Sequence, residues 1–306
     1  MKNTILPFVI AFAITSSYSQ CACCAGAGTG SSNGDYNSGV ITLNKNQFVL
    51  ETYAYYRKIN DGNTIEEDEK LLQSMFINSF GARYGLSNKI TVSALVPYVT
   101  LNTNNGNDKG FGDLVLLGTF KLFSNNNYNF EIQAGVELPT GIQKKSNFDN
   151  STVVVGSGSF DPMAGLVMSK SWNKFLLQAN GMYKFTTKGF QNNYYGSTSV
   201  QNLIVSYKIK KRSELSTEEN SEDKETSNFG LSLFTGYYGE WLDNLKEDDI
   251  IDENSGYYLG FANLGTNISY KKWILPITLS LPFVKKMNGE QNEAGIRIRL
   301  GLVRTF

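Results

Sequence analysis

The 306-residue chain contains no histidine. That absence removes a Ser–His–Asp triad, a histidine general base and a histidine-ligated metal in their usual forms. Cysteine is nearly absent too: Cys21, Cys23 and Cys24 are the only three, all within four residues. Proline occurs six times. Net charge is lacking as well, because 28 Lys and Arg balance 28 Asp and Glu. A neutral chain offers no electrostatic case for binding nucleic acid, which needs a basic surface. Finally, no segment after the first twenty residues is apolar enough to cross a bilayer as a helix, which takes about 20 such residues.

What is present points to export. Residues 1–20 read MKNTILPFVIAFAITSSYSQ. Lys2 supplies a positive start, Ile5 to Ile14 a short apolar stretch, and Ser17-Tyr18-Ser19 small residues at the −3 and −1 positions of a cleavage site. This pattern predicts a signal peptide over 1–19. Residues 20–46 then read as a flexible leader, since AGAGTGSSNGDYNSG is rich in Gly, Ser and Asn.

From about Phe48 onward the chain alternates. Over 113–123, Leu114, Leu116, Gly118, Phe120 and Leu122 share one face, opposite Asp113, Val115, Leu117, Thr119 and Lys121. Over 129–138, Phe130, Ile132, Ala134, Val136 and Leu138 oppose Glu131, Gln133, Gly135 and Glu137. The same period of two recurs over 174–185, 274–283 and 295–306. Strands of about 9–11 residues with one greasy and one wet face are those of a transmembrane antiparallel β-barrel. Twelve are expected, near 47–58, 72–85, 89–101, 112–123, 128–138, 160–171, 174–186, 198–209, 228–238, 256–270, 273–283 and 294–306. The barrel thus spans 47–306.

The connections support this reading. Ser87-Asn88, Asn125 to Asn127, Asn173 and Lys271-Lys272 are short, whereas 59–71, 102–111, 139–159, 187–197, 239–255 and 284–293 are long. Short periplasmic turns and long outer loops are the barrel pattern. Residues 210–227 break it, being long and charged on the turn side. Two readings stay open: a disordered periplasmic loop, or a strand count of ten or fourteen. Aromatics flank three turns, as Phe123 with Tyr128, Trp172 with Phe175, and Tyr270 with Trp273, as interfacial girdles do. The chain ends IRIRLGLVRTF; a terminal Phe306 on an alternating strand resembles the signal read by the outer-membrane insertion machinery. The competing fold is a secreted β-sandwich, whose strands are usually shorter, about 5–6 residues.

Chemistry is sparse. Clustered thiols bind soft metals, export permits disulfides, and Cys21 is placed for lipidation although Tyr18-Ser19-Gln20 matches a lipobox poorly. A leader without chemistry, a metal or redox site, and a lipid anchor all stay open. The acidic runs Glu66 to Glu69 and Glu247-Asp248-Asp249 lack the spacing of a calcium loop and read as solvated outer loops. Gly156-Ser157-Gly158-Ser159 lacks the following Lys-Ser/Thr of a phosphate loop. No catalytic constellation remains, so the chain reads as a non-enzyme that needs no cofactor. The inward polar set comprises Lys121, Glu131, Gln133, Glu137, Gln178, Asn180, Lys184, Arg297 and Arg299. It reads either as a wet lumen whose charges filter solutes or as a salt-bridged plug in a closed barrel.

Three stretches in order carry a resemblance: Gly110-Phe-Gly-Asp-Leu114, Gly135-Val-Glu-Leu-Pro-Thr-Gly141 and Gly156-Ser-Gly-Ser-Phe-Asp-Pro162. Together they resemble the outer-membrane family labelled "putative meta-pathway of phenol degradation", over about residues 75–306. The resemblance implies a barrel described as a transporter, with no catalytic residues, and with Pro139-Thr-Gly141 and Asp161-Pro162 shaping strand ends. The expectation is therefore an outer-membrane channel or transporter for small solutes, hydrophobic or aromatic ones included, held in the lipid bilayer. The alternative is a non-conducting structural or binding barrel.

Overall fold

The computed structural model describes residues 41–60, 72–103, 106–125, 127–145, 152–210 and 228–306. The signal peptide, the leader up to residue 40 with its three cysteines, the acidic run 66–69 and the charged segment 211–227 lie outside the described residues.

Twelve long strands follow one another: β1 (Phe48–Asn60), β2 (Leu72–Ser87), β3 (Ile90–Thr103), β4 (Gly106–Phe111, continued by Leu114–Ser124), β5 (Tyr128–Leu138) and β6 (Asp161–Trp172). The second half is β7 (Phe175–Lys184), β8 (Thr198–Lys210), β9 (Phe229–Leu242), β10 (Tyr257–Tyr270), β11 (Trp273–Met287) and β12 (Glu293–Thr305). Each pairs antiparallel with its neighbours, and β12 returns to β1 in the register Val49↔Thr305 to Asn60↔Glu293. The sheet is thus a closed barrel with no free edge, which is what lets strands satisfy every backbone group inside lipid. No helix among the described residues is long and apolar enough to cross a membrane; the crossing is by strands.

Alternation decides which side each residue takes. On β12, Ile296, Ile298, Leu300 and Leu302 are exposed on the outer wall, while Arg297, Arg299 and Val303 are buried inside. On β4, Leu116 and Phe120 face out and Val115, Leu117 and Thr119 face in. Phe80, Leu166, Leu203, Leu233, Leu264 and Phe283 continue the outer apolar belt. A charge on such a face costs about 2–4 kcal/mol at mid-bilayer for Arg or Lys.

The turn-side rim is aromatic and basic. The Trp172 and Phe175 rings stack at 5.9 Å, and Phe175 lies 5.1 Å from Tyr207. Lys170 lies over Tyr128, Lys174 over Tyr207, Lys271 over Tyr270, and Arg304 over both Trp273 and Phe306. Such rings settle at the membrane–water boundary with cations snorkelling past them. Phe306 closes the seam there. Its N–H donates to the Phe48 carbonyl at 2.9 Å, and the two rings are 5.8 Å apart.

The structure departs from the expected boundaries mainly at the outer end. Residues 106–111 extend β4 against β3 instead of forming a loop. β9 runs to Leu242 and β11 to Met287. These extensions rise above the apolar belt, where outward positions such as Asn107, Lys109 and Lys285 are polar. Two small hairpins, Gln143–Lys145 with Thr152–Val154 and Lys246–Glu247 with Ile250–Ile251, decorate the outer loops. Between β11 and β12 the registered pairs run from Trp273↔Arg304 to Ser280↔Arg297, with a gap at Leu275-Pro276.

Candidate functional site

The lumen is built in four parts. At the outer end of β1, β9 and β12, Glu240 is enclosed by cations and phenols. Arg297 Nη1 donates to its Oε2 at 2.7 Å, Tyr238 to the same oxygen at 3.0 Å, and Tyr257 to Oε1 at 2.6 Å. The Arg57 Nη2 lies 3.6 Å from Oε2. Register places Arg57 directly opposite Arg297 on the adjoining strand. Like charges so placed repel, and the shared carboxylate offsets that repulsion. Arg297 also lies over the Phe261 ring at 3.9 Å. A small cleft, open to solvent, adjoins Arg57 and Arg297 and is floored by Ile59, Leu259, Met287 and Ala294.

Across the lumen, β4 to β7 carry an acidic and hydroxyl network. Asp113 Oδ1 accepts the Gly141 N–H at 2.7 Å, and Oδ2 accepts both the backbone N–H of Ser157 (2.5 Å) and its hydroxyl (2.8 Å). The chain of hydroxyls continues from Ser159 to Asp161, whose other oxygen accepts Thr187 N–H at 2.8 Å. Lys184 joins it, 3.1 Å from Glu137 and 3.6 Å from Asp161. Leu114 N–H is satisfied by the Thr140 hydroxyl. Here Gly141 and Gly156 must be glycine: a Cβ on either would come within 2.5 Å of the other's Cα. All three stretches behind the family resemblance therefore converge on one carboxylate, that of Asp113.

Between these poles the inner wall is apolar. Leu95, Val115, Leu117, Met163, Met182 and Val200 form one buried cluster with Leu259 and Phe261. A second joins Tyr55, Met75, Ile77, Val99 and Leu101. The inward face is thus not the uniformly polar lining that the polar set by itself suggests.

At the turn-side end the N-terminal segment enters the lumen. Ile41 and Thr42 N–H donate to Glu131 Oε2 and Oε1, each at 3.0 Å, and Leu43 N–H to Thr91 Oγ1 at 2.7 Å. Ile41 and Thr42 are buried. Deeper in the wall, Arg83 lies 3.3 Å from Glu51, and Arg299 Nη2 lies 3.4 Å from Thr278 Oγ1 and 5.6 Å from the Tyr53 ring.

The sequence candidates therefore scatter over several sites. Glu137 and Lys184 meet directly. Arg297 belongs to the Glu240 cluster. Glu131 holds the entering segment. Gln133 donates to Thr119 at 3.2 Å. Gln178 is buried, Asn180 is half-buried opposite Asn202 on β8, and Lys121 is half-buried beside a register shift near the turn end. Sequence reasoning missed Glu51, Arg57, Arg83, Asp113, Asp161 and Glu240 as lumen groups. Extending the alternation of β9 by one step beyond 238 reaches Glu240, so the signal existed. Among the described residues no group of three or more His, Cys, Asp or Glu is placed to hold a metal; Cys21, Cys23 and Cys24 lie outside them.

The family profile described as "Putative MetA-pathway of phenol degradation" matches residues 72–238. Among solved structures, the chain is similar to an outer membrane channel from Pseudomonas putida F1. The TM-score is 0.64 at 16% identity, covering 87% of this chain and 97% of that one. It also aligns with the NanC porin (TM-score 0.45, 12% identity, 83% and 98% covered) and with the CymD monoaromatic hydrocarbon channel (0.43, 10%, 91% and 94%). The first likeness, at this identity, establishes the barrel fold. No curated protein sequence matches the chain.

Proposed function

This chain belongs to the family described as "Putative MetA-pathway of phenol degradation", and on that premise we propose that it is an outer-membrane channel for small hydrophobic solutes. One observation carries the reading. The middle of the barrel interior is filled by Leu95, Leu117, Met163, Met182, Leu259 and Phe261, apolar side chains packed into one buried cluster, which the lumen of a water-filled porin has no need of. A hydrophobic solute loses little on entering such a layer, because transfer of apolar surface out of water is favourable by about 25 cal/mol per Å². Charged solutes meet the opposed Glu240 and Asp113 clusters instead. The name of the CymD relative, a monoaromatic hydrocarbon channel, describes that protein and adds no weight here.

The channel has no catalytic role in this reading. The inward-facing buried charges set the electrostatic profile of the path, and Glu131 with Ile41 and Thr42 narrows its turn-side end. That narrowing also favours the second reading, a barrel that does not conduct. Uptake of toluene or xylene by cells lacking other hydrocarbon channels, with and without this chain, separates the two. Faster uptake on expression is expected. Equal uptake with a correctly folded barrel in the outer membrane would sink the channel reading.

A further inference from the structure

The Glu240 cluster has more positive than negative charge. Arg57 and Arg297 are both almost fully buried and share the single carboxylate of Glu240. That carboxylate is already engaged, by Arg297, Tyr238 and Tyr257. The Arg57 Nε and Nη2 atoms are buried and make no hydrogen bond, Nη2 standing 3.6 Å from Glu240. A buried guanidinium with unmade hydrogen bonds is costly, because each missing partner forfeits a charge-assisted bond. The neighbouring acid Glu293 is held by Lys285 at 2.6 Å. The cleft beside Arg57 has one cationic wall and an apolar floor of Ile59, Leu259, Met287 and Ala294.

We propose that this cleft is a binding site for an amphiphilic monocarboxylate, with the carboxylate on Arg57 and the hydrocarbon on the apolar floor. A single negative charge brings the Arg57–Glu240–Arg297 group to neutrality. A planar carboxylate matches the fork of a guanidinium and carries the one negative charge that the group lacks, whereas a phosphate monoester at neutral pH carries more than one and an ammonium head group is repelled. The cleft is small, so the ligand is a single-chain or single-ring acid. This deepens the channel reading and rests on it: the solute class becomes hydrophobic acids, captured at the outer mouth before the apolar layer.

The test uses the full barrel in zwitterionic-lipid nanodiscs, with empty discs as the blank, and isothermal titration of decanoate, decan-1-ol and decylamine. Decanoate is expected to bind at least tenfold more tightly than the other two. Arg57→Met should lower decanoate affinity at least tenfold and leave decanol unchanged, and Met287→Trp, which fills the floor and spares the charges, should weaken decanoate as well. Folding of each variant is checked by its heat-modifiable migration in gels. Equal binding of decanoate and decanol by the unmodified barrel would overturn the carboxylate site yet leave a hydrophobic-solute channel intact. Decanoate binding that survives both substitutions would overturn it too. Loss of hydrocarbon uptake with Arg57-dependent decanoate binding intact would remove the channel reading alone.

Discussion

The buried carboxylate of Glu131, on the fifth strand, accepts the backbone N–H groups of Ile41 and Thr42 together, each at 3.0 Å. A side chain of the barrel wall thereby holds the segment that precedes the first strand. Two hydrogen bonds to a charged acceptor are worth about 1.5–3 kcal/mol each. Removing the acceptor by Glu131→Ala should release residues 41–43 and widen the turn-side end. Single-channel conductance in planar bilayers should rise several-fold over the unmodified chain. Unchanged conductance would show that these residues stay docked without the carboxylate.

A second expectation concerns Asp113, on which Gly141 and Ser157 converge. Asp113→Ala leaves the buried Ser157 N–H and the half-buried Gly141 N–H without their acceptor, and an unsatisfied buried group costs about 1–3 kcal/mol. The variant should unfold at clearly lower temperature or denaturant concentration, while Asp113→Asn, which keeps one acceptor oxygen, should lose less. Gly156→Ala should mimic the alanine variant through steric clash with Gly141. Urea unfolding in detergent micelles reads all three.

Glu240 gives a third. Breaking a buried ion pair from one side costs about 3–5 kcal/mol, because the partner charge is left uncompensated. Glu240→Ala strands two arginines, Arg57 and Arg297, and should destabilise more than Arg57→Met, which removes the surplus charge. Reversal of that order in unfolding measurements would mean that the cluster is compensated from elsewhere.

The outer loops carry a pH-dependent contact. Lys188 Nζ lies 2.7 Å from Asp249, and its hydrogen bond and charge hold the Asp249 carboxyl below the usual carboxylate range. A lowered folded-state value means that the contact is fully present at neutral pH and is lost as pH falls through that lowered value. Hydrogen exchange of loop amides near 188 and 249 should therefore stay slow down to the ordinary aspartate range and speed up only below it. Asp249→Asn should abolish the dependence.

Phe306 supplies the last. Its N–H bonds to Phe48 and its ring packs on the Phe48 ring at the closing seam. Deleting it should lower the yield of folded barrel in the outer membrane, measured as the heat-modifiable fraction. Normal assembly of the truncated chain would remove its role as a terminal signal.

Much of the architecture was legible because lipid and lumen impose opposite demands on adjacent residues. Ile296, Arg297, Ile298 and Arg299 alternate in the sequence for the same reason that they alternate between belt and lumen. Where that demand weakens, the reading stopped short: residues 106–111 and 239–242 continue strands above the belt, although one more step of the β9 alternation reaches Glu240. The lumen was legible only in part. Polar residues on inward positions stood out, but Leu117, Met163 and Met182 on the same face were indistinguishable from ordinary strand hydrophobics.

By itself, the sequence determined a closed antiparallel barrel, its approximate strand count and the absence of histidine chemistry. These follow from local period, turn length and composition, each readable within a dozen residues. Only the tertiary structure decided which charges meet. Glu131 finds Ile41 some ninety positions away, and Arg297 meets Glu240 across two intervening strands, β10 and β11. Such contacts depend on strand register and on the curvature that brings distant inward positions together. The polarity of any one strand does not encode them.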